Sequence, residues 1–130
     1  MWQGLDSCTK LEELSLERNC IKRLEGFGQL IRLRRLSIGY NCIGTIDGLE
    51  QLVQLQYLSL ESNAIATLTG LQKLIGLSEL YANNNLVHNI REVFCLKVCD
   101  VLKAKCNELL LSVHVCVHVY ALLVDQRKTI

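Results

Sequence analysis

The sequence repeats itself every 22 residues, and this period limits the folds that the chain can adopt. Residues 4–91 align without a gap in four rows, 4–25, 26–47, 48–69 and 70–91. One column contains only leucine and another only asparagine: Leu14, Leu36, Leu58 and Leu80; Asn19, Asn41, Asn63 and Asn85. A fixed period of this length indicates stacked copies of one small unit, because a single row cannot bury its own apolar stripe.

Each row combines a strand pattern with a turn pattern. Apolar residues alternate at Leu14 and Leu16 and at the equivalent positions of the other rows, which is typical of a strand with one buried face. The Gly-Leu-x-x-Leu-x-x-Leu spacing that opens the rows predicts tight turns or short 3₁₀ segments on the opposite side. The asparagine follows the strand, and its amide can bond backbone groups that a sharp turn leaves open. We therefore expect a structural asparagine ladder.

The row pattern resembles the leucine-rich repeat, whose L-x-x-L-x-L-x-x-N-x-L signature appears at 11–21, 33–43, 55–65 and 77–87. The 22-residue length and the glycine-leucine opening are similar to the short class typified by the regulatory subunit of protein phosphatase 1. The resemblance implies an α/β fold. It would be a right-handed solenoid with a parallel β-sheet on the concave face and short turns or 3₁₀ segments on the convex face.

Residues 92–130 form a tail that departs from the row pattern. Part of it, 92–113, aligns partly with a degenerate fifth row, whereas a stretch without Gly or Pro and rich in Lys, Glu, Leu and Ala favours a helix. Solenoids usually carry polar caps, and neither end of this array shows one. We therefore expect a fragment or short isoform of a longer array, joined to unrelated sequence by alternative splicing or read-through. In one interpretation, such an isoform has no independent activity.

Composition and charge exclude several function classes. The chain carries 14 Lys and Arg against 13 Asp and Glu, whereas nucleic-acid binders usually present a strongly basic surface. The longest apolar run, 109–124, is interrupted by two histidines and is short for a membrane-spanning helix. We therefore expect a soluble protein that binds neither nucleic acid nor membrane. With no secretory signal in view, the seven cysteines are expected to be reduced thiols.

The sequence contains no recognised catalytic motif, so we predict a protein that is not an enzyme and needs no cofactor. His114, Cys116 and His118 offer zinc-ligand chemistry together with other cysteines of the tail, but their spacing matches no standard zinc site, and we predict no metal. Cys20 and Cys42 lie one row apart and are expected to be small apolar fillers at the turn.

The residues beside the strand leucines are expected to face the concave side and to form the binding site. Three of the four tyrosines fall there, and Tyr and Arg are the residues most enriched in binding hot spots. The predicted protein-binding residues are Arg35, Tyr40, Tyr57, Glu61, Glu79, Tyr81 and Asn83. The alternative is that tyrosine occupies these positions because it suits the pleated surface of a strand. Basic residues also cluster around the second row, and such charge runs are usually solvated.

These observations predict a protein–protein interaction module that binds a partner on its concave face. The resemblance implies, as an alternative, a regulatory or targeting subunit of a protein phosphatase. Many proteins of this repeat class are scaffolds, so the partner could be a phosphatase or a component of the cilium or centrosome. We expect a cytoplasmic location, with the cilium, the centrosome or the nucleus as alternatives.

Overall fold

The computed structural model describes residues 4–82 and 84–87, which form a four-stranded parallel sheet. The strands are β1 (Glu13–Ser15), β2 (Arg35–Ser37), β3 (Tyr57–Ser59) and β4 (Glu79–Tyr81). They pair in chain order, and the register places Leu14 beside Leu36, Leu36 beside Leu58 and Leu58 beside Leu80. This confirms the stacking of rows that the 22-residue period predicts. The expected fifth row and helical tail lie outside the described residues.

Turns and short 3₁₀ helices connect the strands, as the opening pattern of the rows predicts. The 3₁₀ helices span Leu5–Ser7 and Leu71–Lys73, and within 4–82 and 84–87 no α-helix is present. Accordingly, no helix in that part of the chain has the length and apolar character to cross a bilayer. One turn depends on glycine at Gly48, where φ is +105° and a Cβ atom would collide with the carbonyl oxygen of Leu24.

The core is a pile of thin leucine and isoleucine layers, one layer for each row. In the second to fourth rows the strand leucines Leu36, Leu58 and Leu80 are 0%, 0% and 1% exposed. In the first row, by contrast, Leu14 and Leu16 are only partly buried and pack against the same core. A residue's burial therefore depends on the rows stacked on both sides of it as well as on its own column.

Asparagine side chains join each row to the one before it. Asn41 Nδ2 donates to Ile38 O at 3.0 Å in its own row and to Leu16 O at 3.0 Å in the preceding row. Its Oδ1 accepts a hydrogen bond from the Ile21 backbone N–H at 3.1 Å. Asn63 and Asn85 repeat the pattern one and two rows later. The expected ladder is confirmed, and the buried Asn41 amide has several partners, which offsets the cost of burying it.

Candidate protein-binding surface

The outward residues of the four strands form the concave surface. On each strand the middle residue is the column leucine, and the residue on either side of it faces outward because strand side chains alternate. The outward positions are Glu13, Ser15, Arg35, Ser37, Tyr57, Ser59, Glu79 and Tyr81. Serine follows the leucine on three strands, and of these Ser59 is only 3% exposed, so neighbouring groups cover it.

Arg35, Tyr57 and Tyr81 form one continuous group on this surface, which we call the Arg35 stack. The Arg35 Cζ atom lies 4.1 Å from the centroid of the Tyr57 ring. The Tyr57 and Tyr81 ring centroids are 5.5 Å apart, with the rings tilted by 44°. Tyr57 and Tyr81 are diagonal neighbours across β3 and β4, a separation that aromatic side chains can bridge. A guanidinium and two aromatic rings therefore line up across three successive strands.

Tyr40 belongs to a second contact, at the turn that follows β2. Its φ of +56° is left-handed, as is the φ of +58° at Arg18, the same column one row earlier. The Arg18 Cζ atom lies 4.6 Å from the centroid of the Tyr40 ring, which is 42% exposed. We call this contact the Arg18–Tyr40 pair. Arg18 is not among the seven predicted binding residues, although it shares the column of Tyr40 one row earlier.

The Glu61 side chain lies above Gly39, close to the Arg18–Tyr40 pair. A Cβ atom on Gly39 would lie 3.0 Å from Glu61 Cγ, so glycine leaves room for the glutamate. The Tyr40 backbone N–H donates to Glu61 O at 2.8 Å, which ties the two rows together. Glu79, the other predicted carboxylate, stands in register beside Tyr57 on the next strand. Asn83, the last predicted site residue, lies outside the described residues.

The concave surface is acidic, although the whole chain is almost neutral. The outward strand residues and the residues just after them include four carboxylates and two guanidiniums. The carboxylates are Glu13, Glu17, Glu61 and Glu79, and the guanidiniums are Arg18 and Arg35. Both guanidiniums lie over tyrosine rings. The surface therefore combines aromatic rings with an excess of two carboxylates over guanidiniums.

The cysteines of the rows do not share one environment. Cys20 and Cys42 are exposed and have free thiols, so the expectation that they fill an apolar gap at the turn is wrong. The physical reason is their column, which points to solvent, since Ala64 one row later is exposed as well. Cys8, which replaces leucine in a core column, is partly buried and packs against the core. The candidate zinc ligands His114, Cys116 and His118 lie outside the described residues.

Comparison with known proteins agrees with this geometry. Residues 9–65 match the leucine rich repeat family. The described rows form a leucine-rich repeat solenoid. A similar solved structure is internalin C2 of Listeria monocytogenes, with a TM-score of 0.64 and 26% identity over 75% of this chain and 41% of that one. No curated protein matches the chain by sequence.

Two further solved structures also share 26% sequence identity with this chain. A leucine-rich repeat protein of Leptospira interrogans matches with a TM-score of 0.60 and 26% identity over 73% of this chain and 25% of that one. The functional domain of InlJ from Listeria monocytogenes, which includes a cysteine ladder, matches with a TM-score of 0.62 and 26% identity over 75% of this chain and 21% of that one. The chain thus spans less than half the length of these proteins.

The comparisons bear on function only at the level of the repeat fold. Leucine-rich repeats generally mediate protein–protein interaction, and proteins of this fold are generally interaction modules without catalytic activity. The finer expectations, namely the concave binding site, the phosphatase and the cellular compartment, stay predictions.

Proposed function

We propose that this solenoid binds a partner protein on its concave surface, with the Arg35 stack at the centre of the contact. The observation that supports this is the continuous contact from Arg35 over Tyr57 to Tyr81, with separations of 4.1 and 5.5 Å. Tyrosine and arginine combine large contact area with polar tips, and they are enriched where truncation costs the most binding energy.

The Arg35 stack is already ordered before any partner arrives. Tyr57 and Tyr81 are half-buried on the sheet and touch each other, so both rings have little rotamer freedom left to lose. Immobilising a free side chain on binding costs about 0.5–1.5 kcal/mol, and a preformed contact avoids part of this cost. A rigid strand surface that presents ordered aromatic groups is therefore suited to recognition.

The charge of the surface indicates the chemistry of the partner. Carboxylates outnumber guanidiniums there, so the favoured partner segment carries Lys or Arg. Tyr57 and Tyr81 offer flat faces against which an aliphatic or aromatic side chain can pack. The proposed ligand is therefore a protein segment in which basic residues flank one apolar anchor.

Partner identification followed by affinity measurement tests this proposal. Proteins that co-purify with the chain would be identified by mass spectrometry, expressed separately, and titrated against wild type and the Tyr57→Ala/Tyr81→Ala variant. We expect the variant to bind about tenfold more weakly or worse, which corresponds to 1.4 kcal/mol or more. A control variant, Thr45→Ala, changes an exposed residue that lies outside the strands, and it should bind like wild type. Equal affinity of the tyrosine variant and wild type would contradict the concave site.

A regulatory or targeting role toward a protein phosphatase is a narrower form of this proposal. Its support is the 22-residue period and the glycine-leucine opening, which the rows share with the phosphatase 1 regulatory class. Titration of the chain into a phosphatase 1 assay, with complex formation measured in parallel, tests it. If the chain neither binds phosphatase 1 nor changes its rate, the phosphatase role is ruled out, and the proposal of a concave binding site is unaffected. We propose the cytoplasm as the compartment, with the cilium, the centrosome or the nucleus as alternatives, and imaging of the tagged chain would test this.

A further inference from the structure

A second exposed surface lies on the turns that precede β2, β3 and β4. There the side chains of Ile31, Val53 and Ile75 are 53%, 48% and 77% exposed, and we call these three residues the apolar stripe. They share one column of the 22-residue rows, so they occupy equivalent places on successive turns. The turns are in close contact, because a Cβ atom on Gly76 would lie 3.0 Å from Val53 O.

The turn geometry does not account for aliphatic residues at these positions. Each stripe residue is the second residue of a four-residue turn. A backbone hydrogen bond between two buried leucines closes the turn; in the second row the Leu33 N–H donates to Leu30 O at 2.9 Å. That position tolerates most residues, and the first row has Thr9 there. Single exposed apolar residues are ordinary on protein surfaces, but contiguous ones mark interaction sites. The stripe repeats at the same exposed position in three successive rows.

The border of the apolar stripe is basic, in contrast to the concave surface. The equivalent segments that contain the stripe, 28–34, 50–56 and 72–78, include three cations, Arg32, Arg34 and Lys73, against one carboxylate. That carboxylate is Glu50, whose Oε2 accepts a hydrogen bond from the Gly48 N–H at 2.9 Å. All three cationic side chains are exposed. The solenoid therefore presents two surfaces of opposite charge, and this one attracts carboxylates.

We propose that the apolar stripe and its basic border bind an amphipathic helix of a partner protein, with Asp or Glu beside the helix's apolar face. Successive rows of a parallel sheet are about 4.8 Å apart. Helix residues three or four apart are separated by about 5–6 Å, so their side chains can follow the stripe row by row. Side chains on one face of a β-strand are about 6.8 Å apart, so a partner strand would fall out of step with the stripe residues within three rows. Carboxylates beside the apolar face then pair with Arg32 and Arg34.

An anionic membrane is the other surface that this chemistry could meet, and the structure favours the helix. The stripe contains neither Trp nor Tyr, the residues that are enriched where proteins meet the bilayer interface. It is also one residue wide, which gives a membrane little apolar area to cover but fits the narrow apolar face of a helix.

Helical peptides of defined pattern test the proposal. The acidic peptide carries leucine at i, i+3, i+4 and i+7 with Glu on both sides of that face, and the basic peptide replaces every Glu with Lys. Both are labelled with fluorescein and titrated with the full chain. We expect the acidic peptide to bind about tenfold more tightly than the basic one. The Ile31→Ser/Val53→Ser/Ile75→Ser variant should lose about tenfold in affinity, and Arg32→Glu/Arg34→Glu should reverse the preference.

Two controls separate this surface from the concave one. The stripe variant should remain folded with a cooperative thermal transition, because none of its three side chains belongs to the buried core. The Tyr57→Ala/Tyr81→Ala variant should bind the acidic peptide like wild type, whatever the fate of the concave site.

Several results would overturn the proposal. These are equal affinity for the two peptides, unchanged affinity in the stripe variant, or stripe-dependent binding to phosphatidylserine vesicles without binding of the acidic peptide. Sedimentation showing a stripe-dependent dimer without peptide binding would identify a second copy of the chain as the occupant instead.

Discussion

Adjacent residues on one strand of this solenoid follow different rules. In β2, Leu36 is completely buried, and its column is leucine in every row. Arg35, one position earlier, is exposed, and its column holds Glu13, Tyr57 and Glu79 in the other rows. Inward residues must fit the rows on both sides, whereas most outward residues are at least partly exposed to solvent; Ser59, which is 3% exposed, is the exception on β3. The difference shows that the inward columns determine the fold and leave the outward columns available for recognition.

Truncation of these two neighbours gives the largest contrast. Leu36→Ala should lower the free energy of unfolding by about 3 kcal/mol, since it removes a fully buried side chain and leaves a cavity between rows. Arg35→Ala should cost about 0.5–1 kcal/mol, the value of an exposed cation–π contact. Urea denaturation of both variants measures the difference. Similar losses would contradict the division between inward and outward residues.

Two glycines extend the contrast to the turns. Gly48→Ala should cost about 2–3 kcal/mol, because the backbone is left-handed there and the new methyl group collides with the Leu24 carbonyl. The matched control, Gly44→Ala, should change stability by less than about 0.5 kcal/mol, because a Cβ atom there meets nothing within 4 Å. Thermal or urea unfolding checks both values. A costly change at Gly44 would show that the turns tolerate side chains less well than the geometry indicates.

The asparagine column allows the same comparison within a single residue type. Asn41→Leu should cost about 1–3 kcal/mol, because it orphans the backbone groups that the buried amide satisfies. Asn19 is exposed and donates to Leu16 O and Glu17 O, groups that water can reach. Asn19→Leu should therefore cost less than about 1 kcal/mol. Equal losses in urea denaturation would mean that burial does not decide the strength of the ladder.

The smallest expected effect is a gain in stability. Ser62 has a left-handed φ of +54°, which is unfavourable for a residue with a Cβ atom. Ser62→Gly should therefore raise the free energy of unfolding by about 0.5 kcal/mol. Ser37→Gly, the same change inside β2, should lower it by about 0.5–1 kcal/mol. Differential scanning calorimetry can resolve the opposite signs, and a loss at both positions would rule out strain at Ser62.

The sequence predicts the inward half of this molecule well and the outward half only in part. With a strict period, residues that share a column lie side by side in adjacent rows. The pairing of Leu36 with Leu58 and the hydrogen bonds of the asparagines therefore follow from the column alignment. The column alignment does not predict that the Arg18–Tyr40 pair and the Arg35 stack are two distinct groups. That division depends on side-chain rotamers and on the left-handed backbone at the turn. The apolar stripe was missed as well, since a column of β-branched residues looks like core until its exposure is known.

Each asparagine supports the row before its own through a hydrogen bond that it accepts from a backbone N–H, and hydrogen exchange at that N–H measures this support. The Ile21 N–H donates to Asn41 Oδ1, and the Ile43 N–H donates to Asn63 Oδ1. In the Asn41→Leu protein, NMR should show about tenfold or greater loss of protection at Ile21 relative to Ile43. Loss of protection at Ile43 with Ile21 unchanged would contradict the stacked-row account.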